Sequence, residues 1–339
     1  MNTSECTRAM FTVGSLILTV MAVINISIGE KARLPTYSIV KYSFGSKGAT
    51  AIMAINLFAW IAVTANMFGH TVSDLLVTQF NLDLPIPVIV AFGCIIFVTS
   101  TSFGFEALGK VSKFAVPIIT LILFLALNSS VSVAEKASNL SFGAAVSSVV
   151  DTIIVLVATS PDFGSFVHNR KHAVMAGLLT FGVVYPVLFI VGAVPGSITS
   201  EGSLLAAMAI IGTTLPAAIL LIFACITGNA GNMFQGILVF STLFSQYLKW
   251  KVTVVGSMDI MAWFIPFLLF LGIATPPISG IYIAEYFINR QKGYDEASLE
   301  KDSSIKPLTF VAWEEVLWLV SVRSMAGSHY QVSHHSIPS

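Results

Sequence analysis

Charge is what this 339-residue chain has least of: 10% of its residues are Asp, Glu, Lys or Arg, 17 basic against 17 acidic, while 55% are hydrophobic. A soluble domain carries about 25% charge, and so few charged groups cannot cover the water-facing surface of a chain this long. The scarcity excludes a soluble globular enzyme, a disordered chain and a nucleic-acid binder. Cysteine is equally sparse. Cys6, Cys94 and Cys225 lie far apart, two of them in apolar runs, which excludes both a disulfide framework and a metal-ligand spacing. No phosphate-binding Walker loop, H-E-x-x-H pair, nucleophile elbow or T-V-G-Y-G filter is present. ATP-driven transport, intramembrane metalloprotease chemistry and a potassium-type pore therefore lack their residues.

What the chain has instead is long apolar runs. Stretches of about 20 residues, enough for a helix to cross about 30 Å of hydrocarbon, fall near Met10–Gly29, Ala49–Phe68, Ile86–Phe105, Phe114–Val133, Phe142–Ser160, Val174–Ile198, Ile210–Phe240 and Phe264–Ile288. A shorter run, Val252–Met261, spans only if its polar flanks are recruited. The runs are continuous rather than alternating, which excludes a transmembrane β-barrel. Basic residues concentrate in alternate connections. Lys31, Arg33, Lys41 and Lys47 follow the first run, Lys110 and Lys113 the third, Arg170 and Lys171 the fifth, Lys249 and Lys251 the seventh, and Arg290, Lys292, Lys301 and Lys306 the last. The connections between them carry only Lys136. The alternation holds if Val252–Met261 crosses. The chain therefore reads as an all-α membrane protein, a multi-pass bundle of about nine transmembrane helices, with its basic side cytoplasmic and its N-terminus outside.

The domain reading is one transmembrane transporter domain over residues 1–306 and an aberrant tail over 307–339. Within Leu308–Val322 the adjacent Glu314 and Glu315 would each cost about 2.5–3.5 kcal/mol in lipid, so the tail is expected not to span. His334 and His335 belong to its polar end.

A few polar residues lie inside the apolar runs. Asp151 is mid-span between Val150 and Thr152–Val157. An intramembrane carboxylate marks a substrate or ion pathway by default; the alternative is a structural hydrogen bond to a neighbouring helix, or protonated burial. Asp162, in Ser160-Pro161-Asp162-Phe163-Gly164, falls at the cytoplasmic boundary and reads as gating or structural. Trp60 shares its run with Asn66, and a mid-membrane Trp offers a flat wall for a planar ligand or a packing surface for a helix. The stretch Thr227-Gly228-Asn229-Ala230-Gly231-Asn232 interrupts an apolar run, as discontinuous helices that hold substrate and cation do; close packing of small residues is the alternative. Pro276-Pro277 with Gly280 predicts a kink in the last span.

These polar stretches resemble the bacterial cytosine permeases, within the purine–cytosine (nucleobase–cation symporter) family. The likeness runs from Tyr42-Ser43-Phe44-Gly45-Ser46-Lys47-Gly48 through Trp60–Phe68, Ser102-Phe103-Gly104 to Ala115-Val116-Pro117, Asp162-Phe163 with Asn169 and Lys171, and Leu215-Pro216-Ala217 to Asn229. It ends at Pro276-Pro277 and Glu285–Arg290. The resemblance implies the leucine-transporter-type inverted-repeat fold, here partial, lacking the family's first helix and last two. It implies a symporter that carries cytosine or a related planar heterocycle across the cytoplasmic membrane with H⁺ or Na⁺ and no other cofactor. Its partners would be a nucleobase-like small molecule and the lipid bilayer. A truncated, non-transporting remnant of such a permease is the alternative. By the resemblance, Trp60 stacks on the base, Asp151, Thr152 and Asn229 contact it, and the cation site falls at Thr227, Gly228 and Asp151. The chain departs from the family pattern at Ile153, where a stacking aromatic is expected, at Ala224, where an Asn is expected, and at Gly228, where a second hydroxyl is expected.

Overall fold

The computed structural model describes residues 3–102, 105–130, 146, 149–150, 153–189, 216, 227–228, 261–291, 293–295 and 305–318. They form helices α1 (Thr3–Ala32), α2 (Thr36–Phe44), α3 (Ser46–Phe80), α4 (Ile86–Ser102), α5 (Phe105–Ser130), α6 (Ile154–Ala158), α7 (Pro161–Gly164), α8 (Arg170–Leu179) and α9 (Met261–Asn289), then α10 over residues 307–318. α8 opens into a wider π-type turn at Thr180–Val184 and continues as helix to residue 189. The stretches Phe11–Ala32 and Arg170–Phe189 are each long and apolar enough to cross a membrane. The short run Val252–Met261, apart from Met261 itself, and nearly all of Ile210–Phe240 lie outside the described residues.

The second apolar run extends further than its composition suggests. α3 continues twelve residues past Phe68, to Phe80, a stretch in which Leu75, Leu76 and Gln79 are good helix formers and neither Gly nor Pro follows Gly69. It stops where Asn81 turns left-handed, with φ 51°. The Leu82 amide donates back to the Leu76 carbonyl at 3.1 Å, a helix end that Asn tolerates better than most residues. In the last run, α9 stays one helix through Pro276-Pro277. Two prolines remove two backbone donors, but freed backbone groups in membrane helices find partners on neighbours. On the adjoining turn the Trp313 indole of α10 donates to the Ala274 carbonyl at 2.9 Å.

The chain divides into two compact units. The first holds Met1–Thr19, Ile55–Val149 and Leu178–Ile265. In it, Gly69 and Gly93 let α3 and α4 close on each other: a Cβ on Gly69 would overlap the Val90 side chain, and one on Gly93 would overlap the Phe68 ring. The Tyr185 hydroxyl donates to the Val149 carbonyl at 3.0 Å, and Phe11 meets Phe189 with ring centroids 5.2 Å apart.

The second unit holds Val20–Ala54, Val150–Gly177 and Pro266–Ser339. α2 and α10 pack on each other in this unit. Phe44 and Phe310 meet edge to face at 5.3 Å, the Lys306 ammonium donates to the Tyr42 carbonyl at 2.8 Å, and the Thr309 hydroxyl donates to the Ser43 carbonyl at 2.9 Å. Gly45, with φ 79°, makes the sharp exit from α2 that a side chain would resist. The core of this unit lies where α1, α6, α7 and α9 meet, and there the backbone of the fifth span is broken.

Candidate functional site

The fifth apolar run is not one helix. Ile153, immediately after Asp151-Thr152, has φ −137° and ψ 5°, outside the helical region. The chain then makes the short helix α6, a turn at Thr159-Ser160, the single helical turn α7, and an irregular exit to α8. Nothing in Ile154-Val155-Leu156-Val157-Ala158 announces a break: it contains neither Gly nor Pro. A broken helix at membrane depth leaves carbonyls without in-helix donors, and each must find another partner.

Side chains from remote helices supply those partners. Asn25 of α1 donates to the Val157 carbonyl at 2.9 Å and to the Ser279 hydroxyl at 3.0 Å. Tyr282 of α9 donates to the Ala158 carbonyl at 2.6 Å. The Thr36 hydroxyl at the start of α2 donates to the Thr159 carbonyl at 3.2 Å. The Arg33 guanidinium, on the link from α1 to α2, reaches the carbonyls of Ser165, Val167 and His168 beyond α7. Asn25 and Ser279 are fully buried and Tyr282 nearly so. Asn25 sits amid Val20–Ile26, an otherwise apolar run, and a polar amide inside a membrane helix is the signal that flags it.

Asn25→Leu removes both bonds without creating a void. It leaves the Val157 carbonyl with only the local Ser160 amide and hydroxyl and strips the buried Ser279 hydroxyl of its amide partner, a loss of about 1–3 kcal/mol. The expected result is a lower melting temperature in detergent, with Asn25→Gln recovering part of it; an unchanged melting curve for Asn25→Leu would remove Asn25 from the network.

Asp162 completes the set from α7. Pro35 precedes α2 and offers no side-chain cap, so the first amides of α2 need an acceptor from elsewhere. The Thr36 amide donates to Asp162 Oδ1 at 2.7 Å, and Asp162 thereby caps α2 from a segment 126 residues away. The carboxyl is 1% exposed, and its Oδ2 has no hydrogen-bond partner among the described residues. Asp162 lies two residues past the predicted end of the span at Ser160. Burial, opposed by the Thr36 amide and hydroxyl, pushes its pKa from the ordinary 3.8 up to about 7. Asp162 is thus a structural fastener between α2 and α7, and it changes its charge near neutral pH.

Small residues allow the backbones to meet this closely. A Cβ on Gly29 of α1 would collide with the Pro161 backbone, and one on Gly164 would collide with the Ile26 carbonyl. This is the small-residue contact by which membrane helices approach one another.

The residues expected to hold substrate and cation are placed as follows. Trp60 is near the middle of α3; its side chain lies outside the described residues, as do Asp151, Thr152 and Asn229 entirely. Thr227 and Gly228 are helical, Thr227 half-buried and Gly228 exposed, and a Cβ on Gly228 would meet nothing within 4 Å. The rest of the stretch to Asn232 lies outside the described residues.

Over residues 2–306 the sequence matches the family described as permeases for cytosine/purines, uracil, thiamine and allantoin. The chain belongs to this permease family. It is a multi-pass membrane protein of a family whose members are transporters. Cytosine permease of Escherichia coli strain K12 is 26% identical over 318 residues, covering 88% of this chain and 74% of that protein; the cytosine permease of E. coli O157:H7 matches to the same extent. Two solved structures share the fold. Mhp1, a nucleobase-cation-symport-1 family transporter, in a closed conformation with bromovinylhydantoin bound, aligns with a TM-score of 0.73 at 15% identity over 95% of this chain and 85% of its own. Its inward-facing conformation aligns with a TM-score of 0.69 at 16% identity, over 96% and 84%. The permease thus has the leucine-transporter-type helical fold, as the resemblance implied.

Proposed function

We propose that this permease is a secondary active transporter that carries a nucleobase such as cytosine, or a related planar heterocycle, with H⁺ or Na⁺ across the cytoplasmic membrane. The observation that carries the reading is the backbone break at Ile153, directly beside the intramembrane pair Asp151-Thr152, in a chain whose family and relatives are permeases of such compounds. An interrupted helix exposes backbone donors and acceptors at a depth where lipid supplies none, which is how carriers of this kind hold substrate and ion.

In this reading Trp60 stacks on the flat face of the ring, and stacking tolerates several bases. Selection among them comes from hydrogen bonds of Asp151, Thr152 and Asn229 to the ring edge, because a mismatched buried polar group costs about 1–3 kcal/mol. The Thr227 hydroxyl and the Gly228 carbonyl provide oxygen ligands suited to Na⁺. Asp151 provides the other coupling route, a carboxyl that takes up a proton on one side of the membrane and releases it on the other as the cavity opens alternately.

Uptake of labelled cytosine, uracil and hydantoin into cells lacking their own permease tests the proposal. Accumulation above the external concentration is expected for at least one of them. Trp60→Ala should raise the apparent KM about tenfold or more, since a base–aromatic stack contributes about 1–3 kcal/mol. Asp151→Asn should abolish accumulation while leaving counterflow of labelled substrate. If Asp151→Asn still concentrates substrate, Asp151 is not the proton carrier. If the wild type neither binds nor concentrates any of the three, the transport reading fails.

A further inference from the structure

On the basic side of the second unit, α1, α8 and α9 diverge and leave a cleft of about 180 Å³. Its body is apolar, walled by Val23 and Ile28 of α1, Val174 of α8 and Phe287 of α9. Its mouth is charged, with Lys31 closing α1 and Arg170 opening α8, and with the Tyr286 ring beside them. None of these residues belongs to the break in the fifth span or to the residues expected to hold substrate.

The electrostatics of the mouth are one-sided. Glu30 is the one carboxylate lining the cleft, and it is engaged by Arg33 at 3.3 Å. The Lys31 ammonium donates to the Gln291 carbonyl and lies 5.5 Å from the centre of the Tyr286 ring, two contacts that hold a cation in place without neutralising it. Arg170 is exposed and forms no ion pair among the described residues. Two positive groups, Lys31 held in place and Arg170 exposed, therefore flank an opening whose interior is hydrocarbon-like. The outer faces of the flanking helices are apolar as well: Met175 and Leu178 of α8 and Phe287 and Ile288 of α9 are exposed by 49–77%, as surfaces against lipid are.

We propose that this cleft is a binding site for an anionic phospholipid of the cytoplasmic leaflet. The phosphate sits between Lys31 and Arg170, with the start of one acyl chain against Val23, Val174 and Phe287. Charge complementarity selects this occupant. The positive residues lie on the side that the alternation of basic connections makes cytoplasmic, which is the leaflet face where basic pockets between helices hold acidic headgroups. A zwitterionic lipid would bring a choline or ethanolamine cation against two positive charges. A nucleobase has no anionic group for them to meet. A free phosphate would leave the apolar body in contact with water.

The full-length protein, purified in detergent and exchanged with defined lipids, provides the test. Native mass spectrometry and thermal melting would be recorded with phosphatidylglycerol, cardiolipin, phosphatidylcholine and inorganic phosphate. Phosphatidylglycerol and cardiolipin are expected to remain bound and raise the melting temperature, while phosphatidylcholine and phosphate do neither. The double variant Lys31→Gln/Arg170→Gln should bind phosphatidylglycerol about thirtyfold more weakly, from roughly one kilocalorie per mole for each basic side chain. Val174→Trp fills the cleft, leaves both charges, and should weaken the same lipid without affecting any residue of the broken span. Because Lys31 also ties α1 to Gln291, Arg170→Gln alone serves if the double variant does not fold; it should weaken binding about fivefold. Equal retention of phosphatidylcholine, undiminished phosphatidylglycerol binding by Arg170→Gln, or protection by inorganic phosphate equal to that of the lipid would each overturn the assignment.

Discussion

Between pH 4 and pH 8 the wild-type permease is expected to lose thermal stability, and Asp162→Asn is expected to remove most of that loss. The cause is the burial of Asp162, which holds its pKa at about 7 in the folded protein against 3.8 when exposed. The folded state therefore keeps a proton that the unfolded chain has released over this window. Below about pH 4 both states are protonated and the full benefit is present. As pH rises the unfolded chain ionises first, so folding becomes less favourable. Above about pH 7 both are ionised and the stabilisation is gone. A shift of this size corresponds to about 4 kcal/mol, the largest single effect expected in this protein. Asparagine keeps an oxygen to accept from the Thr36 amide and cannot ionise, so Asp162→Asn should melt higher than wild type at pH 8 and show a flatter profile. Melting in detergent at half-unit pH steps decides the matter. Parallel wild-type and variant profiles would mean that another group carries the pH dependence.

Gly164→Val should be nearly as damaging, at every pH. A side chain there meets the Ile26 carbonyl oxygen rather than a flexible side chain. The backbone of α1 can yield only by pulling Asn25, one residue before Ile26, off the Val157 carbonyl. Overpacking against a rigid neighbour costs on the order of 3 kcal/mol, and here the loss of a buried hydrogen bond is added. Gly29→Val acts on the same crossing from the other side, against Pro161. The two substitutions together should therefore cost less than their separate effects combined. Gly280→Ala is the control: its Cβ meets nothing within 4 Å, and alanine in a helix is favoured over glycine by about 1 kcal/mol. Size-exclusion profiles and melting temperatures should rank Gly280→Ala at or above wild type and Gly164→Val far below. A folded Gly164→Val protein with a wild-type melting temperature would show that the α1–α7 contact is not tight.

The contrast between Asp162 and Asn25 shows what composition could and could not reveal. Asp162 stood out in the sequence because it is charged, and the reading of a gating or structural carboxylate at the membrane boundary is compatible with its place beside Thr36. That it caps α2, rather than pairing with a basic residue, depended on Pro35 being unable to cap its own helix and on a fold that brings segments 126 residues apart together. Asn25 was passed over because one amide barely changes the hydropathy of a long run. Its importance appears only when the amide is seen bridging the Val157 carbonyl, whose i+4 position is the donorless Pro161, and the Ser279 hydroxyl. The sequence also places an interruption at Thr227–Asn232, where Gly and Asn cluster and most residues lie outside the described ones; the break at Ile153 lies in the β-branched stretch Thr152–Val155, which carries no Gly or Pro.

Local composition alone determined that this chain is a membrane protein with long apolar runs, because the length of an apolar run is a property of a short segment, and its ordered motifs pointed to the permease family. Tertiary structure decided where the fifth span breaks, which side chains satisfy the broken backbone and why Asp162 keeps its proton. The stretch Ile154–Ala158, itself without Gly or Pro, sits in a broken span whose carbonyls at Val157, Ala158 and Thr159 are met by Asn25, Tyr282 and Thr36, and no window of neighbouring residues contains those remote donors.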